Sequence, residues 1–259
     1  MRLGMTQKLL SLMFLGCMAL PSAHADMTNQ ATSEQEKTLQ SSRQSYLQSQ
    51  GIALPDQGVQ VVPRHSIQLP ADLKKQVMKD KNAMLKQGYV ETSNPRILEL
   101  RDINHTAIYE KKKYQNNTDP MSTHLRDTAS EIKLAYYFHE IPAKDANSVI
   151  GFAPVGTYVN NGWSGIVELF TKQGLGNCNY EENNLKLMHA TIRIPSDIVT
   201  HEVHDKITTF DVRGNKKDGF LYTVEWYDDG FSRKLECVAK VYSPATLSTI
   251  IEIARRADH

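Results

Sequence analysis

The sequence carries almost no excess of charge, since 30 lysine and arginine residues face 29 aspartate and glutamate residues. Nucleic-acid binders need a basic excess to neutralise phosphate groups, so we expect no nucleic-acid partner. The chain is 40% hydrophobic and 23% charged, as ordinary globular proteins are. Its composition therefore excludes collagen-like and wholly disordered proteins.

Long apolar runs are also missing from the sequence. The longest, Leu9–Leu20, is well short of the ~20 residues that span a bilayer, so we expect no integral membrane span in the mature chain. Two basic residues precede this run, and the small residues Ala23 and Ala25 follow it. This order is typical of a secretory signal peptide. We therefore predict a signal peptide over residues 1–25, cleaved after Ala25, and a periplasmic or secreted mature protein.

A second interpretation of the N-terminus involves Cys17. The preceding residues, Phe14, Leu15 and Gly16, loosely resemble the box that precedes the lipidated cysteine of bacterial lipoproteins. Lipidation at Cys17 would anchor the chain to a membrane surface instead of releasing it. The alternative to a released protein is therefore a lipoprotein anchored through Cys17.

Cysteine is scarce, with three residues in the whole chain. If Cys17 leaves with the signal peptide, only Cys178 and Cys237 remain. Two cysteines in an oxidising compartment usually pair, so we predict a disulfide between them, with two buried free thiols as the alternative. No Cys-x-x-Cys spacing is present, so no redox motif is indicated.

Residues 26–70 contain few large apolar side chains and are rich in glutamine, serine and threonine. Such a segment buries too little area to offset its loss of conformational entropy. We predict a polar arm, partly disordered or helical, that ends in a proline-containing linker. Its few larger apolar residues include Tyr46 and Leu47, which are candidate contacts with a partner.

Residues 71–131 are predicted to be a helical and irregular segment. Asp72 can cap a helix that ends at Gly88, with an apolar face that includes Leu73 and Leu85. Residues 89–121 show few periodic signals and are predicted to be largely loop. A short helix is expected within residues 122–131.

Residues 132–259 are predicted to form an antiparallel β-sheet domain that closes with a helix, which gives an α+β fold with its sheet at about residues 132–242. Asp229-Gly230 lies between two alternating runs and predicts a tight hairpin. Pairing Asp228 with Phe231 fixes the register of this hairpin. The resulting pairs are Val224 with Leu235, Tyr222 with Cys237, Phe220 with Ala239, and Glu225 with Lys234.

Other alternating segments are expected to add strands to this sheet. They lie at residues 132–138, 188–194 and 210–212, and Cys178 is expected in the loop before the second of them. Asn160-Asn161-Gly162 predicts a hairpin turn between residues 149–159 and 165–171. The final helix should begin with Ser243 as its cap and Pro244 in its first turn.

Few residues show a pattern that points to chemistry. His201 and His204 could bind zinc if His189 or Asp205 completed the shell, but their spacing is not that of the His-Glu-x-x-His metalloproteases. We therefore assign no catalytic residue, no metal site and no cofactor. Trp163, placed next to a predicted hairpin turn, is a further candidate contact with a partner.

The function predicted from these patterns is that of an exported, non-catalytic bacterial envelope protein. It would be a structural or accessory component of an envelope assembly, such as a secretion apparatus, with other envelope proteins as partners. Two alternatives remain open. One is a secreted metal-dependent hydrolase that uses the His201 and His204 cluster, and the other is a glycan or small-molecule binder that uses the tyrosine-rich sheet.

Overall fold

A computed structural model describes residues 58–228 and 230–258. The predicted signal peptide, Cys17 and the candidate contacts Tyr46 and Leu47 lie outside the described residues. The fold is α+β, with a mixed seven-stranded sheet and several helices that include a C-terminal one. None of the helices in the described ranges is both long and apolar enough to cross a membrane.

Four helices and nine strands follow one another in the described part of the chain. The helices are α1 (Ala71–Gln87), α2 (Pro95–Arg101), α3 (Ile103–Tyr114) and α4 (Pro244–Ala257). The strands are β1 (Gly58–Val62), β2 (Val90–Glu91), β3 (Ser148–Val159), β4 (Gly162–Lys172), β5 (Gly176–Asn184), β6 (Thr191–Pro195), β7 (Ile207–Asn215), β8 (Gly219–Tyr227) and β9 (Phe231–Ala239).

The large sheet has the strand order β2-β7-β8-β9-β5-β4-β3. It consists of two antiparallel meanders, β3-β4-β5 and β7-β8-β9, which join where β5 pairs antiparallel with β9. Only β2 runs parallel to its neighbour, β7, which makes the sheet mixed. The prediction of an antiparallel sheet therefore describes all but this short edge strand.

The β8–β9 hairpin has the predicted register. Val224 faces Leu235, Tyr222 faces Cys237 and Glu225 faces Lys234. The Asp228 carboxylate holds the turn, because its Oδ1 accepts hydrogen bonds from the backbone N–H groups of Gly230 and Phe231, each at 2.9 Å. An aspartate side chain that bonds its own backbone two residues on is a common way to fix a turn.

Cys178 and Cys237 form the predicted disulfide. They lie directly opposite each other on β5 and β9, so the bond crosses the junction between the two meanders. Cys178 was expected in a loop, and its position inside β5 corrects that expectation. The hairpin at Asn160-Asn161-Gly162 is confirmed, and both asparagines have the positive φ, 50° and 63°, that a tight turn between two twisted strands needs.

Two other predicted strands are wrong: one pairs with a different partner, and the other does not form. The strand expected at 188–194 is β6, which pairs parallel with β1 in a separate two-stranded sheet rather than joining the large one. Residues 132–138 form no strand, and only Leu134 makes an isolated bridge to Trp163. Their alternating apolar side chains instead pack onto the sheet as an irregular segment.

The helical segment also differs from its prediction. Residues 89–121 contain α2 and α3, and Asn94 caps α2 by accepting a hydrogen bond from the Arg96 N–H. The short helix expected in 122–131 is reduced to a 3-10 turn at Ala129–Glu131. Pro95 as the first residue of α2 and Asn94 as its cap are local signals, but apolar periodicity does not detect them.

Helix α1 ends at Gly88, as predicted, in a left-handed conformation. No side chain caps its N-terminus, so the cap expected from Asp72 is absent, and Leu85 on the predicted apolar face is exposed. The buried residue of α1 is Asp80, which pairs with Arg213 of β7 at 3.0 Å. An ion pair therefore attaches this helix where a hydrophobic stripe was expected.

The main core lies on one face of the large sheet. Ser243 caps α4 and Pro244 occupies its first turn, as predicted, and the helix buries Ile250 and Ala254 against the core. Tyr180 stacks on Trp226 across the sheet with ring centroids 5.9 Å apart. The opposite face is covered in part by α2, whose apolar side chains form a second, smaller core with residues of β4, β8 and β9.

The main core also contains a carboxyl group, that of Glu168 on β4. Its side chain is fully buried, its Oε2 accepts a hydrogen bond from the Ile141 N–H at 2.8 Å, and its Oε1 has no partner among the described residues. Burial raises the pKa of Glu168 to about 7, and the charge of Glu140 adds to this while the Ile141 N–H opposes it. The folded chain therefore holds Glu168 protonated below about pH 7.

Replacing Glu168 with glutamine is expected to remove part of the pH dependence of stability. The folded chain binds a proton that the unfolded chain releases near its ordinary pKa of about 4.3, so stability from Glu168 is present at low pH and falls as pH rises towards 7. At 1.36 kcal/mol per unit, the loss is at most roughly 3.5 kcal/mol. Urea unfolding between pH 4.5 and 8 should show the free energy of unfolding of Glu168→Gln increasing relative to that of the parent chain as pH rises.

The comparison with the parent chain isolates Glu168. Burial also raises the pKa values of Glu182 and Glu225, but both proteins carry these groups and their effects cancel in the difference. A difference in the free energy of unfolding that is constant across this pH range would contradict the assignment.

Candidate functional site

An open cleft lies at the end of the large sheet where β5 and β8 finish and β7 and β9 begin. Its volume is about 630 Å³. Glu182 and Arg233 line it from the sheet, Lys206 and Asp228 from the adjoining turns, and Tyr137 from the irregular segment before β3. The cleft is thus built from segments that are distant in sequence, and four strand ends fix its position.

Arg233 is the central cation of the cleft. It stands opposite Glu182 on β5 and opposite Trp226 on β8, and its side chain is only 6% exposed. Its Nε donates to Glu182 Oε2 at 2.7 Å and its Nη1 donates to Asp228 Oδ2 at 2.8 Å. Burial opposes the charge, but the hydrogen bond to Asp228 and the charge of Glu182 raise the pKa of Arg233 above its usual range.

A second group of charges lies behind Arg233, around the buried carboxylate of Asp258. Lys206 Nζ donates to Asp258 Oδ1 at 2.5 Å and to Asp228 Oδ2 at 3.4 Å. Trp226 Nε1 also donates to Asp258 Oδ1, at 3.1 Å, and His204 Nδ1 lies 3.0 Å from Asp258 Oδ2. The C-terminal end of α4 is therefore tied to the same network as the β8–β9 turn.

The carboxyl groups of the network share their cations. Three carboxyl groups, those of Glu182, Asp228 and Asp258, share two cations, Arg233 and Lys206. Hydrogen bonds keep the pKa of Asp228 low: burial raises it, but the Arg233 guanidinium and the Gly230 N–H more than offset that effect. Each carboxylate oxygen buried away from water needs a hydrogen-bond donor.

One carboxylate oxygen of the network, Glu182 Oε1, lacks such a donor among the described residues. The residue is 1% exposed, and while its Oε2 receives Arg233 Nε and Tyr180 Oη, its Oε1 has no hydrogen-bond partner among the described residues. Burial raises the pKa of Glu182, and the charge of Arg233 only partly opposes this. Glu182 lines the cleft and thus has one buried carboxylate oxygen without a donor among the described residues.

Aromatic rings form one side of the cleft. Phe231 packs against Tyr136 with ring centroids 5.4 Å apart and also receives the Arg233 guanidinium at 4.9 Å. Tyr136 Oη donates to the carbonyl oxygen of Glu182 at 3.1 Å, which fixes the irregular segment to β5. Tyr137 is 78% exposed at the rim and contacts His139 edge to face. An exposed aromatic ring beside a polar floor is a common feature of binding sites.

The candidate metal ligands do not come together. His201 Nδ1 lies 3.1 Å from the carbonyl oxygen of Asp205, and His204 contacts Asp258 instead. Across residues 58–228 and 230–258, no three side chains of histidine, cysteine, aspartate or glutamate are grouped so that they could hold a metal ion. The zinc shell proposed for His201, His204, His189 and Asp205 is therefore not formed.

Trp163 does not lie exposed beside its hairpin turn. It is 8% exposed, its Nε1 donates to the carbonyl oxygen of Pro120 at 2.9 Å, and its ring meets Tyr158 edge to face. The side chain belongs to the core, and its burial argues against the predicted contact with a partner.

The sequence analysis missed Glu182 and Arg233, although a signal for them exists. Cys178, Tyr180 and Glu182 alternate along β5, and Arg233 occupies the matching phase before Leu235 on β9. A charge at a position where the period-two pattern requires a buried side chain indicates a buried ion pair.

Comparisons with known proteins add no functional assignment. No protein-family model, no curated protein and no solved structure matches this chain. Function is therefore argued from the geometry and chemistry of the cleft, because fold alone does not specify function.

Proposed function

We propose that this chain is an exported, non-catalytic binding component of a bacterial envelope assembly, and that it engages a partner through the cleft beside Arg233. The observation that carries the proposal is the cleft itself, which charged side chains line and which has an exposed aromatic ring, Tyr137, at its rim. The signal-peptide pattern and the Cys178–Cys237 bond support export, because structural disulfides persist mainly in oxidising compartments.

The construction of the cleft suits binding. Its polar side chains stand on strand ends or on turns held by hydrogen bonds, and they constrain one another through ion pairs. Side chains fixed in this way lose little conformational entropy when a partner arrives, which favours specific recognition. A binding role uses these properties without requiring any group in the cleft to react.

A small-molecule or glycan binder is the second candidate. The volume of the cleft, about 630 Å³, falls within the range of small-ligand sites, and the exposed ring of Tyr137 could stack on a ligand. The metal-dependent hydrolase loses its support, because its expected ligands are not assembled.

Photo-crosslinking in living cells tests the partner-binding role. A photoreactive phenylalanine analogue at Tyr137, on the rim of the cleft, is expected to capture an envelope protein. The same analogue at Tyr109 is the matched control, because that tyrosine is 66% exposed but lies on α3, which packs against β3 away from the cleft. Mass spectrometry of the purified chain should show an N-terminus at Asp26 and the oxidised cysteine pair.

Two results would overturn the proposal. Equal adducts at Tyr137 and Tyr109 would show that capture reflects exposure alone. A chain recovered from the cytosol with Met1 still present and both thiols reduced would remove the exported role. A lipid on Cys17 would instead support the anchored form of the same proposal.

A further inference from the structure

Helix α1 has an exposed face that is rich in lysine. The helix contains five lysines and two aspartates, a net charge of +3, whereas the whole chain has a net charge of +1. Four of the lysines are exposed, and their side chains form no hydrogen bond or ion pair with any described residue: Lys74, Lys75, Lys79 and Lys86. Positive charge is therefore concentrated on one side of a nearly neutral protein.

Acids near this face do not neutralise it. Asp80 is buried against Arg213, so Asp72 in the first turn is the one exposed acid of α1. The fifth lysine, Lys81, donates to Asp197 at 2.7 Å, and Arg64 donates to the same carboxylate at 2.8 Å. Because two cations share this acid, the border of the face is also positive.

Apolar side chains form a line between the lysines. Ala71, Met78 and Leu85 follow at intervals of seven residues, which places them on one face of the helix over about 21 Å. All three are exposed, Met78 by 48% and Leu85 by 78%. Lysines flank this line on both sides: Lys74 and Lys81 on one, and Lys75, Lys79 and Lys86 on the other. The exposed face of α1 is therefore amphipathic.

The shape of this face suits a flat partner better than a peptide. An open hollow beside Met78 is lined by residues of α1 alone. Within the part of the chain that the structure describes, no second element supplies an opposing wall that could enclose an acidic segment. Its cations are lysines, which act as flexible point charges and do not form the fixed two-pronged contacts of arginine with a carboxylate. Such a face matches a surface on which many negative charges are spread.

We propose that α1 docks this protein on a membrane surface that contains anionic phospholipids. The lysine ammonium groups would lie among the lipid phosphates, and Met78 and Leu85 would enter the boundary between headgroups and acyl chains. Clusters of basic residues on an amphipathic helix are typical of proteins that bind anionic lipids in this way. The site is separate from the cleft beside Arg233, which no residue of α1 lines, so a test of one does not decide the other.

Co-sedimentation with lipid vesicles tests the docking. The purified chain begins at Asp26, the predicted mature N-terminus, so it carries no lipid on Cys17. We expect it to bind phosphatidylglycerol vesicles at least tenfold more tightly than phosphatidylcholine vesicles in about 0.1 M salt. Binding should be lost in about 1 M salt, which screens the lysine charges. Equal binding to the two kinds of vesicle would overturn the proposal.

Two variants with the same loss of charge locate the binding surface. Replacing the four exposed lysines of α1 with glutamine is expected to weaken binding to phosphatidylglycerol vesicles at least tenfold. The control removes four exposed lysines near β3 and β4, at the other edge of the sheet from the β2 strand that α1 contacts: Lys112, Lys113, Lys133 and Lys144. It should bind like the parent chain. Equal weakening in both variants would show that net charge alone governs binding, which would contradict the assignment to α1.

A tryptophan on the apolar line distinguishes a membrane from an acidic protein. Trp163 and Trp226 are buried, so the indole of Leu85→Trp should dominate any change in emission. We expect its emission to move to shorter wavelength, and its quenching by acrylamide to fall, on phosphatidylglycerol vesicles. Ile108→Trp on α3, at a position that is 69% exposed, is the matched control and should show neither change.

Poly-glutamate serves as the probe for an acidic protein partner. If the chain binds poly-glutamate more tightly than phosphatidylglycerol vesicles, and the emission of Leu85→Trp does not change on the vesicles, the membrane is the wrong partner. That result would leave the capture of an envelope protein at Tyr137 unaffected, since the cleft does not include α1.

Discussion

Replacing both Cys178 and Cys237 with alanine is expected to lower the free energy of unfolding by roughly 4 kcal/mol. The disulfide joins residues 59 positions apart, and closing a loop of this length restricts the unfolded chain strongly. Both cysteines are fully buried, so the loss of two sulfur atoms from the core adds to the effect. Urea unfolding of the double variant and the parent chain measures the difference.

Reduction of the parent chain separates the cross-link from packing. The reduced parent keeps both sulfur atoms in the core and should lose most of the same stability. If the reduced and oxidised chains unfold at the same urea concentration, the cross-link does not stabilise the fold.

Replacing Arg233 with methionine is expected to destabilise the chain by roughly 3 to 5 kcal/mol. Methionine retains an apolar stem of similar length but leaves Glu182 and Asp228 without the cation that they share. Buried carboxylates without a counter-charge are strongly unfavourable. Lys206 cannot replace the lost cation, because it already pairs with Asp258. The free energy of unfolding of Arg233→Met at pH 7 checks the size of the effect.

A surface residue provides the control for Arg233. Arg101→Met removes a cation that is 47% exposed and pairs with the exposed Asp102, so a loss of less than about 1 kcal/mol is expected. The loss in the free energy of unfolding caused by Arg233→Met should be smaller at lower pH, because the carboxylates left without a cation then become protonated. Equal losses in the two variants would show that burial of the Arg233 network does not govern its contribution.

Local sequence signals determined the parts of the fold that could be predicted. The β8–β9 hairpin combines a turn residue, Asp228, with apolar alternation on both flanks, and the two requirements agree on one register. The C-terminal helix likewise carries its cap, its proline and its apolar stripe within a single segment. Such elements need no information from distant residues.

Elements that depend on remote contacts could not be predicted. Helix α3 buries only Ala107, so it lacks the apolar stripe that identifies a helix in a sequence. Strand β5 is rich in asparagine and glutamate, because one of its faces is polar and the other buries Glu182 in an ion pair. The parallel partner of β6 is β1, which lies more than a hundred residues earlier in the chain. No local sequence pattern identifies a partner at this distance.

The cleft illustrates the same limit. The sequence shows that Glu182, Lys206, Asp228 and Arg233 are charged, but charged residues are frequent throughout the chain. Their grouping depends on the junction of β5 with β9, which places residues about 50 positions apart in one ion pair. The candidates His201 and Trp163 were chosen for residue type and local position in the sequence, and the fold uses both for other contacts.

The covalent bond across the two meanders also has a mechanical consequence. If tension acts on both ends of the chain, the Cys178–Cys237 bond carries the load, and the 59-residue span that it closes is shielded from stretching. At about 3.5 Å per extended residue, this withholds about 200 Å of contour length. Strands β7, β8 and most of β9 lie inside this span. When the chain ends are pulled, no force therefore passes along the backbone of the hairpin turn at Asp228.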